Sequence, residues 1–127
     1  LDALVRSHDA VEHGLPVRYM LGLVTSAGLS NQELAQISGM SPATIARQRK
    51  KGADSSLPVV ASDRLARFGR VLAAVTRYFE DRDAARAWMR RPAPALGNET
   101  PLQRATTDSG ARDVLRLIGR LEHGIAV

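Results

Sequence analysis

Residues 31–50 read NQELAQISGMSPATIARQRK, two helical segments around a single glycine. Ser30 precedes the first segment and Glu33 follows it by three residues. In that pairing the hydroxyl caps the N3 amide, and the Glu side chain caps the Ncap amide in return. Leu34 and Ala35 lie inside this first helix, and Gly39 ends it. Ser41 caps the second helix, with Pro42 at its first position, where a missing N–H forfeits no hydrogen bond. Ala35 is small enough for the second helix to cross close by. Gly39 supplies the positive φ that a tight turn needs, and Ile45 is the buried anchor. This Ala–Gly–Ile spacing is that of the helix-turn-helix DNA-binding motif.

As a reading helix, the second segment directs Pro42, Ala43, Ala46, Arg47 and Lys50 towards a groove. Arg47 alone has the fork that reads guanine through two hydrogen bonds, and Ala is limited to contact with a thymine methyl. Arg49, Lys50 and Lys51 have the chemistry of phosphate contacts. Ser41 and Thr44 have it too, beside a helix N-terminus. The predicted DNA-binding set is therefore Ser41, Thr44, Arg47, Arg49, Lys50 and Lys51, with little sequence selectivity in the monomer. Ser38 and Gln48 depart from the motif, standing where it normally holds apolar side chains.

Composition supports this reading. A length of 127 residues predicts one domain or two very small ones. With 44% hydrophobic and 24% charged residues the chain resembles an ordinary globular protein, which argues against disorder. Aromatic residues are only 4%, while Ala and Leu dominate, so the expected fold is all-α. Lys and Arg total 18 against 13 Asp and Glu, a net charge of +5. Between residues 42 and 91, twelve basic residues face five acidic ones, so the rest of the chain is slightly acidic. A basic centre of this kind suits nucleic acid or another acidic partner. With 0 Cys there is no disulfide, thiol chemistry or Cys-based zinc site, which fits a reducing cytoplasm. No apolar run reaches the length of a membrane helix and no signal-peptide core opens the chain, so no membrane partner is expected. Leu1 in place of an initiator Met predicts a trimmed or processed chain.

Outside the motif, helices are predicted at 2–13, stopped by Gly14, and at about 16–27, with Val17, Met20, Leu21 and Val24 on one face. Residues 52–58 carry Gly, Asp, two Ser and Pro and read as a loop. They set the expected boundary between domains 1–57 and 58–127. A long helix at 61–80 follows, its stripe of Leu65, Phe68, Leu72, Val75 and Phe79 spaced by three and four. The stripe is too short for a sustained heptad seam and predicts core rather than a dimer interface. A helix at 83–91 is expected to bury Ala85, Trp88 and Met89. Pro92 and Pro94 end it, Gly97 and Asn98 turn, and residues 101–105 make one short helical turn. The last helix, 108–123, has Val114, Leu117, Ile118 and Leu121 as its apolar face. Gly124 ends it, ahead of an apolar tail expected to dock.

Signals for catalysis are poor. His8, Glu12 and His13 share one predicted helix, but the inverted zinc motif requires His-x-x-Glu-His and the gap here is one residue longer. There is no Gly-rich phosphate loop, nucleophile elbow or paired-carboxylate signature. No catalytic, cofactor-binding or metal-binding residue is predicted, and the chain is not expected to be an enzyme. A partner surface is signalled instead by Arg112, Arg116 and Arg120, spaced by four, with Asp113 placed to pair with Arg116.

The C-terminal half carries a series: Ala87-Trp88-Met89, Pro92, Ala95-Leu96-Gly97, Pro101-Leu102, Gly110-Ala111-Arg112 with Val114, then Arg120-Leu121-Glu122-His123-Gly124-Ile125. It resembles the Xre/MbcA/ParS-like toxin-binding domain, as do Ser62-Asp63-Arg64 before the long helix and Gly14-Leu15-Pro16 ahead of the helix-turn-helix. The resemblance implies an Xre-like helix-turn-helix bundle followed by a small helical toxin-binding domain. It further implies an antitoxin of a type II toxin–antitoxin system whose partner is a RES-domain toxin that degrades NAD. Operator DNA would be the second partner, bound by a homodimer or a higher toxin–antitoxin assembly that represses its own operon. The same resemblance assigns toxin binding to Arg112, Arg116, Arg120, Glu122, His123, Gly124 and Ile125. Ala43 and Gln48 stand where relatives are more basic, which implies low DNA affinity per subunit. The alternative reading is a stand-alone helix-turn-helix regulator that dimerises through its C-terminal half.

Overall fold

The computed structural model describes residues 13–124. The helix expected at 2–13, with His8 and Glu12, and the expected docking tail with Ile125 lie outside the described residues. The described chain is a succession of helices: α1 (Val17–Ala27), α2 (Asn31–Ser38), α3 (Pro42–Lys51), α4 (Val59–Phe79), α5 (Arg82–Met89), α6 (Pro101–Arg104) and α7 (Asp108–Glu122), with a 3-10 turn at Pro94–Leu96. No strand occurs among the described residues beyond an isolated bridge between Pro16 and Ser56. The all-α expectation therefore holds. No helix among the described residues is long and apolar enough to cross a membrane.

Helix starts follow their capping residues. Ser30 accepts from the Glu33 amide at 3.1 Å, and the Glu33 carboxylate accepts from the Ser30 amide at 2.9 Å, completing the box. Ser41 accepts from the Thr44 amide, with Pro42 at the first position of α3. Asp81, Thr100 and Thr107 cap α5, α6 and α7 in the same way.

The chain divides into two compact units between Gly69 and Arg70, inside α4. The expected division lay at 57/58, on the Gly/Ser/Pro-rich loop. That loop is part of the first unit because its backbone groups pair with the segment leading into α1. Val17 donates to the Ser55 carbonyl at 2.8 Å, Arg18 to Ala53 at 2.9 Å and Leu57 to Leu15 at 2.8 Å. The Arg18 guanidinium also pairs with Asp54. Ser62 completes the arrangement: its buried hydroxyl accepts from the Leu15 amide at 2.8 Å and donates to the Pro58 carbonyl at 2.9 Å.

In the first unit the buried face of α1 is Val17, Tyr19, Met20, Leu23 and Ala27. Leu21 and Val24, expected on that face, are only half-buried. The face is rotated towards Tyr19 because its ring packs against Gly69, where an added Cβ would meet the phenol oxygen at 2.0 Å. The two polar departures in the motif are core residues. Ser38 is buried and its hydroxyl accepts from the Met40 amide at 3.1 Å, stabilising the turn. Gln48 is buried with its Oε1 lacking a hydrogen-bond partner among the described residues.

In the second unit Val114, Leu117 and Ile118 of α7 are buried, with Ala85 and Met89 of α5 and Leu96 and Leu102 between them. Of the long-helix stripe, Leu65, Phe68, Leu72 and Val75 are buried within the chain, as a core reading requires. Phe79 is half-buried, its ring centroid 6.0 Å from that of Trp88. Trp88 was expected in the core and is also only half-buried. On the short α5 the buried positions are Ala85 and Met89, four residues apart, which turns Trp88 to the flank of that face.

Ser62→Ala leaves the buried Leu15 amide without its acceptor. A loss of about 1–3 kcal/mol is expected, read as a lower urea midpoint at unchanged slope. A variant as stable as wild type would remove this contact from the account.

Candidate nucleic-acid and partner surfaces

All six residues predicted to bind DNA lie on α3 or its N-cap. They form two groups. At the N-terminal turn, the Thr44 hydroxyl accepts from Ser41 Oγ at 3.0 Å and from Arg47 Nη2 at 2.9 Å. Arg47 is thereby laid along its own helix, and Ser41 and Arg47 are exposed. In the last turn stand Arg49, Lys50 and Lys51, all exposed, where the helix dipole favours cations. Pro42, Ala43 and Ala46 share the exposed side, so this surface is basic at its ends and smooth between them.

Sequence reasoning missed two residues of this unit. Asn31, at the first position of α2, lines a recess of about 280 Å³ with Pro42, Ile45, Ala46 and Arg49. Its position was legible in the Ser30 cap, which puts Asn31 at the exposed start of a helix. Arg64 lies over the turn of the motif: a Cβ on Gly39, whose φ is 75°, would stand 2.3 Å from its guanidinium nitrogen. No local pattern announces that contact, because α4 brings it from 25 residues away.

In the second unit, Arg112, Arg116 and Arg120 form an exposed stripe along α7, and Glu122, His123 and Gly124 are exposed at its end. Arg112 pairs with Asp108 at 2.6 Å, and Arg116 with Asp113 at 3.2 Å as its spacing predicts. Both side chains of the Arg112 pair are more than 60% exposed, so solvent screening leaves it worth little. Neither guanidinium is withheld from a partner. Arg120 makes no ion pair among the described residues. Gly124 takes φ 69° and its amide donates to the Leu121 carbonyl at 3.1 Å, ending the helix as expected.

One member of the stripe, Arg116, shares its carboxylate partner with Arg104. The Arg104 guanidinium joins Glu99 at 2.6 Å and Asp113 at 3.2 Å. The Glu99 hydrogen bond, aided by both carboxylate charges, raises its pKa against the opposing effect of burial. Arg104 ties α6 to the same Asp113 that holds Arg116. The two helices approach closely at Gly110, where a Cβ would stand 1.8 Å from the Arg104 carbonyl oxygen.

Comparison with known proteins gives these surfaces a context. Residues 6–70 match the antitoxin Xre-like helix-turn-helix domain, and residues 74–124 match the antitoxin Xre/MbcA/ParS C-terminal toxin-binding domain. The chain belongs to the Xre/MbcA/ParS-like antitoxin family. It is 35% identical over 116 residues to Antitoxin Xre of Photorhabdus laumondii, covering 91% of this chain and 77% of that protein. It is 33% identical over 118 residues to Antitoxin Xre of Yersinia enterocolitica, covering 92% and 78%. Its fold is similar to a chain of the M. tuberculosis MbcT–MbcA toxin–antitoxin complex, with TM-score 0.64, 25% identity, and coverage of 87% of this chain and 96% of that one. The protein is thus an antitoxin of Xre type, with a helix-turn-helix part followed by a toxin-binding part. The two matched segments meet where the two compact units divide.

Gly110→Ala drives a methyl into backbone that has no rotamer to yield. A destabilisation of about 3 kcal/mol or more is expected, in the range of severe overpacking. It is read as loss of the folded second unit on urea titration. An unchanged midpoint would mean that α6 and α7 are not held this closely.

Proposed function

We propose that this antitoxin neutralises a RES-domain toxin that degrades NAD and, bound to it, represses its own operon in the cytoplasm. The observation that carries the reading is the match of residues 74–124 to a toxin-binding domain. That segment presents Arg112, Arg116, Arg120, Glu122, His123 and Gly124 to solvent. A basic stripe of this kind steers an acidic partner surface and fixes its register. Inhibition is steric: the end of α7 and the residues from Ile125 onward block the toxin's substrate cleft, and the antitoxin performs no chemistry.

Repression uses the other unit. Lys50, Lys51 and Arg49 neutralise phosphates, Ser41 and Thr44 bond them at the helix N-terminus, and Arg47 reads a base after leaving Thr44. Gln48 is buried and takes no part, so its lack of charge costs no affinity. One such head binds weakly. A homodimer spaces two heads by a helical turn of DNA, and a larger toxin–antitoxin assembly raises their effective concentration further.

The reading is tested by NAD consumption by the RES-domain product of the neighbouring gene, with and without this chain at equal molarity. Turnover should cease on addition; unchanged turnover would reject the reading in favour of a regulator acting without a toxin. Arg47→Ala with Lys50→Ala should abolish operator binding and spare inhibition. Lys50→Ala alone should lower the slope of log affinity against log salt by about one per subunit. Deleting residues 124–127 should do the reverse, weakening inhibition more than operator binding. Equal losses in both assays would refute the division of labour.

A further inference from the structure

The second unit holds a groove that none of the predicted toxin-binding residues lines. Its floor is Leu117 and Leu121 of α7 with the ring of Trp88, and its wall is Pro92 and Pro94. Arg91 lines it too, and no acidic residue does. The volume is about 200 Å³, below the range of small-molecule and cofactor pockets, which run from about 300 Å³. It suits a side chain rather than a free ligand. The wall is built before anything binds. Both prolines have fixed φ, and the loop is closed on itself by the Ala93 amide bonding to Glu99 at 3.0 Å and the Asn98 amide to Ala93 at 3.0 Å.

Charge selects the occupant. A neighbouring recess shares Ala95 and Leu117 with the groove and is lined by Arg116 and Arg120. Its one acidic residue, Asp113, is already engaged by Arg104 and Arg116. Arg91 and Arg120 make no ion pair among the described residues. The groove is thus an apolar slot with guanidinium groups beside it. A partner surface that is itself basic would meet like-charge repulsion here. A partner carrying an apolar side chain between carboxylates meets no such repulsion. A half-buried Trp in a rigid pocket is also the residue type on which binding energy concentrates.

We infer that this groove is the anchor point of the toxin: Trp88, Leu117 and Leu121 receive an apolar toxin side chain, and Arg91 and Arg120 bind the carboxylates flanking it. The inference rests on the toxin-neutralising reading above and adds to it an apolar anchor beside the end of α7, formed with Trp88 of α5 and the proline loop. It makes Trp88 an interface residue and explains why that ring is left half-exposed.

Trp88 is the only Trp of the chain, so it reports on its own groove. The full chain labelled with 5-fluorotryptophan gives one ¹⁹F resonance. This should shift, and lose its sensitivity to D₂O, on adding the RES-domain product of the neighbouring gene. It should not move when the free chain is diluted or residues 125–127 are removed. Arg91→Glu alters an exposed residue, and Leu121→Glu puts a carboxylate into the slot. Each should weaken toxin affinity about thirty-fold or more, the scale of a binding hot spot, at unchanged helicity. If Leu121→Glu lowers the melting temperature, Arg91→Glu decides alone. Wild-type inhibition with both variants binding normally overturns the groove and leaves the proposed function standing. Failure of wild type itself to bind removes both. A resonance that moves on dilution or on loss of residues 125–127 shows a second copy or the tail in the groove, and overturns the toxin as its occupant.

Discussion

Leu15 is the point on which the first unit is fixed. Its side chain is fully buried, its amide goes to the Ser62 hydroxyl and its carbonyl accepts from Leu57. Leu15 and Val17 find their backbone partners outside the helix, and Pro16 has no N–H to offer. Buried backbone groups must nevertheless be paired, so the partners come from residues 53–62. The loop that follows α3 thereby becomes structural, and the direction of α4 is set where it begins. Arg64, two residues beyond Ser62, is then carried to the turn at Gly39. The basic last turn of α3 is held between that turn and the pinned loop.

The second unit solves a different problem with the same means. Its helices are short, and α6 is a single turn, so propensity alone would not sustain them. They persist because α7 buries one full face, because Gly110 lets α6 approach its backbone, and because Arg104 joins two carboxylates across the approach. The exposed ion pairs along α7 contribute little to this stability. The arginine stripe therefore adds little to the fold.

Much of this was legible in the sequence because capping is local. Ser30 with Glu33, Ser41 with Pro42, and Gly39 and Gly124 set helix ends that the structure reproduces within one or two residues. The misreadings share a cause in non-local contacts. The composition of residues 52–58 marks a loop but cannot say that its backbone pairs with residues 15–18. The face of α1 is decided by Tyr19 meeting Gly69, fifty residues on. Trp88 looked like core because Trp is large and apolar and its neighbours are buried; only the disposition of Ala85 and Met89 turns it to the flank. Arg47 and Lys50 were legible as exposed, but not that Arg47 is tied to Thr44.

The central claim is that one chain carries two separate working surfaces, α3 for DNA and α5 to the end of α7 for the toxin. Hydrogen exchange of the full chain, free, with the toxin and with operator DNA, tests it most directly. The toxin should slow exchange across residues 88–96 and 112–124 and leave 41–51 unchanged, while DNA should do the opposite. Slowing of 41–51 by the toxin, with no protection of 88–124, would contradict it.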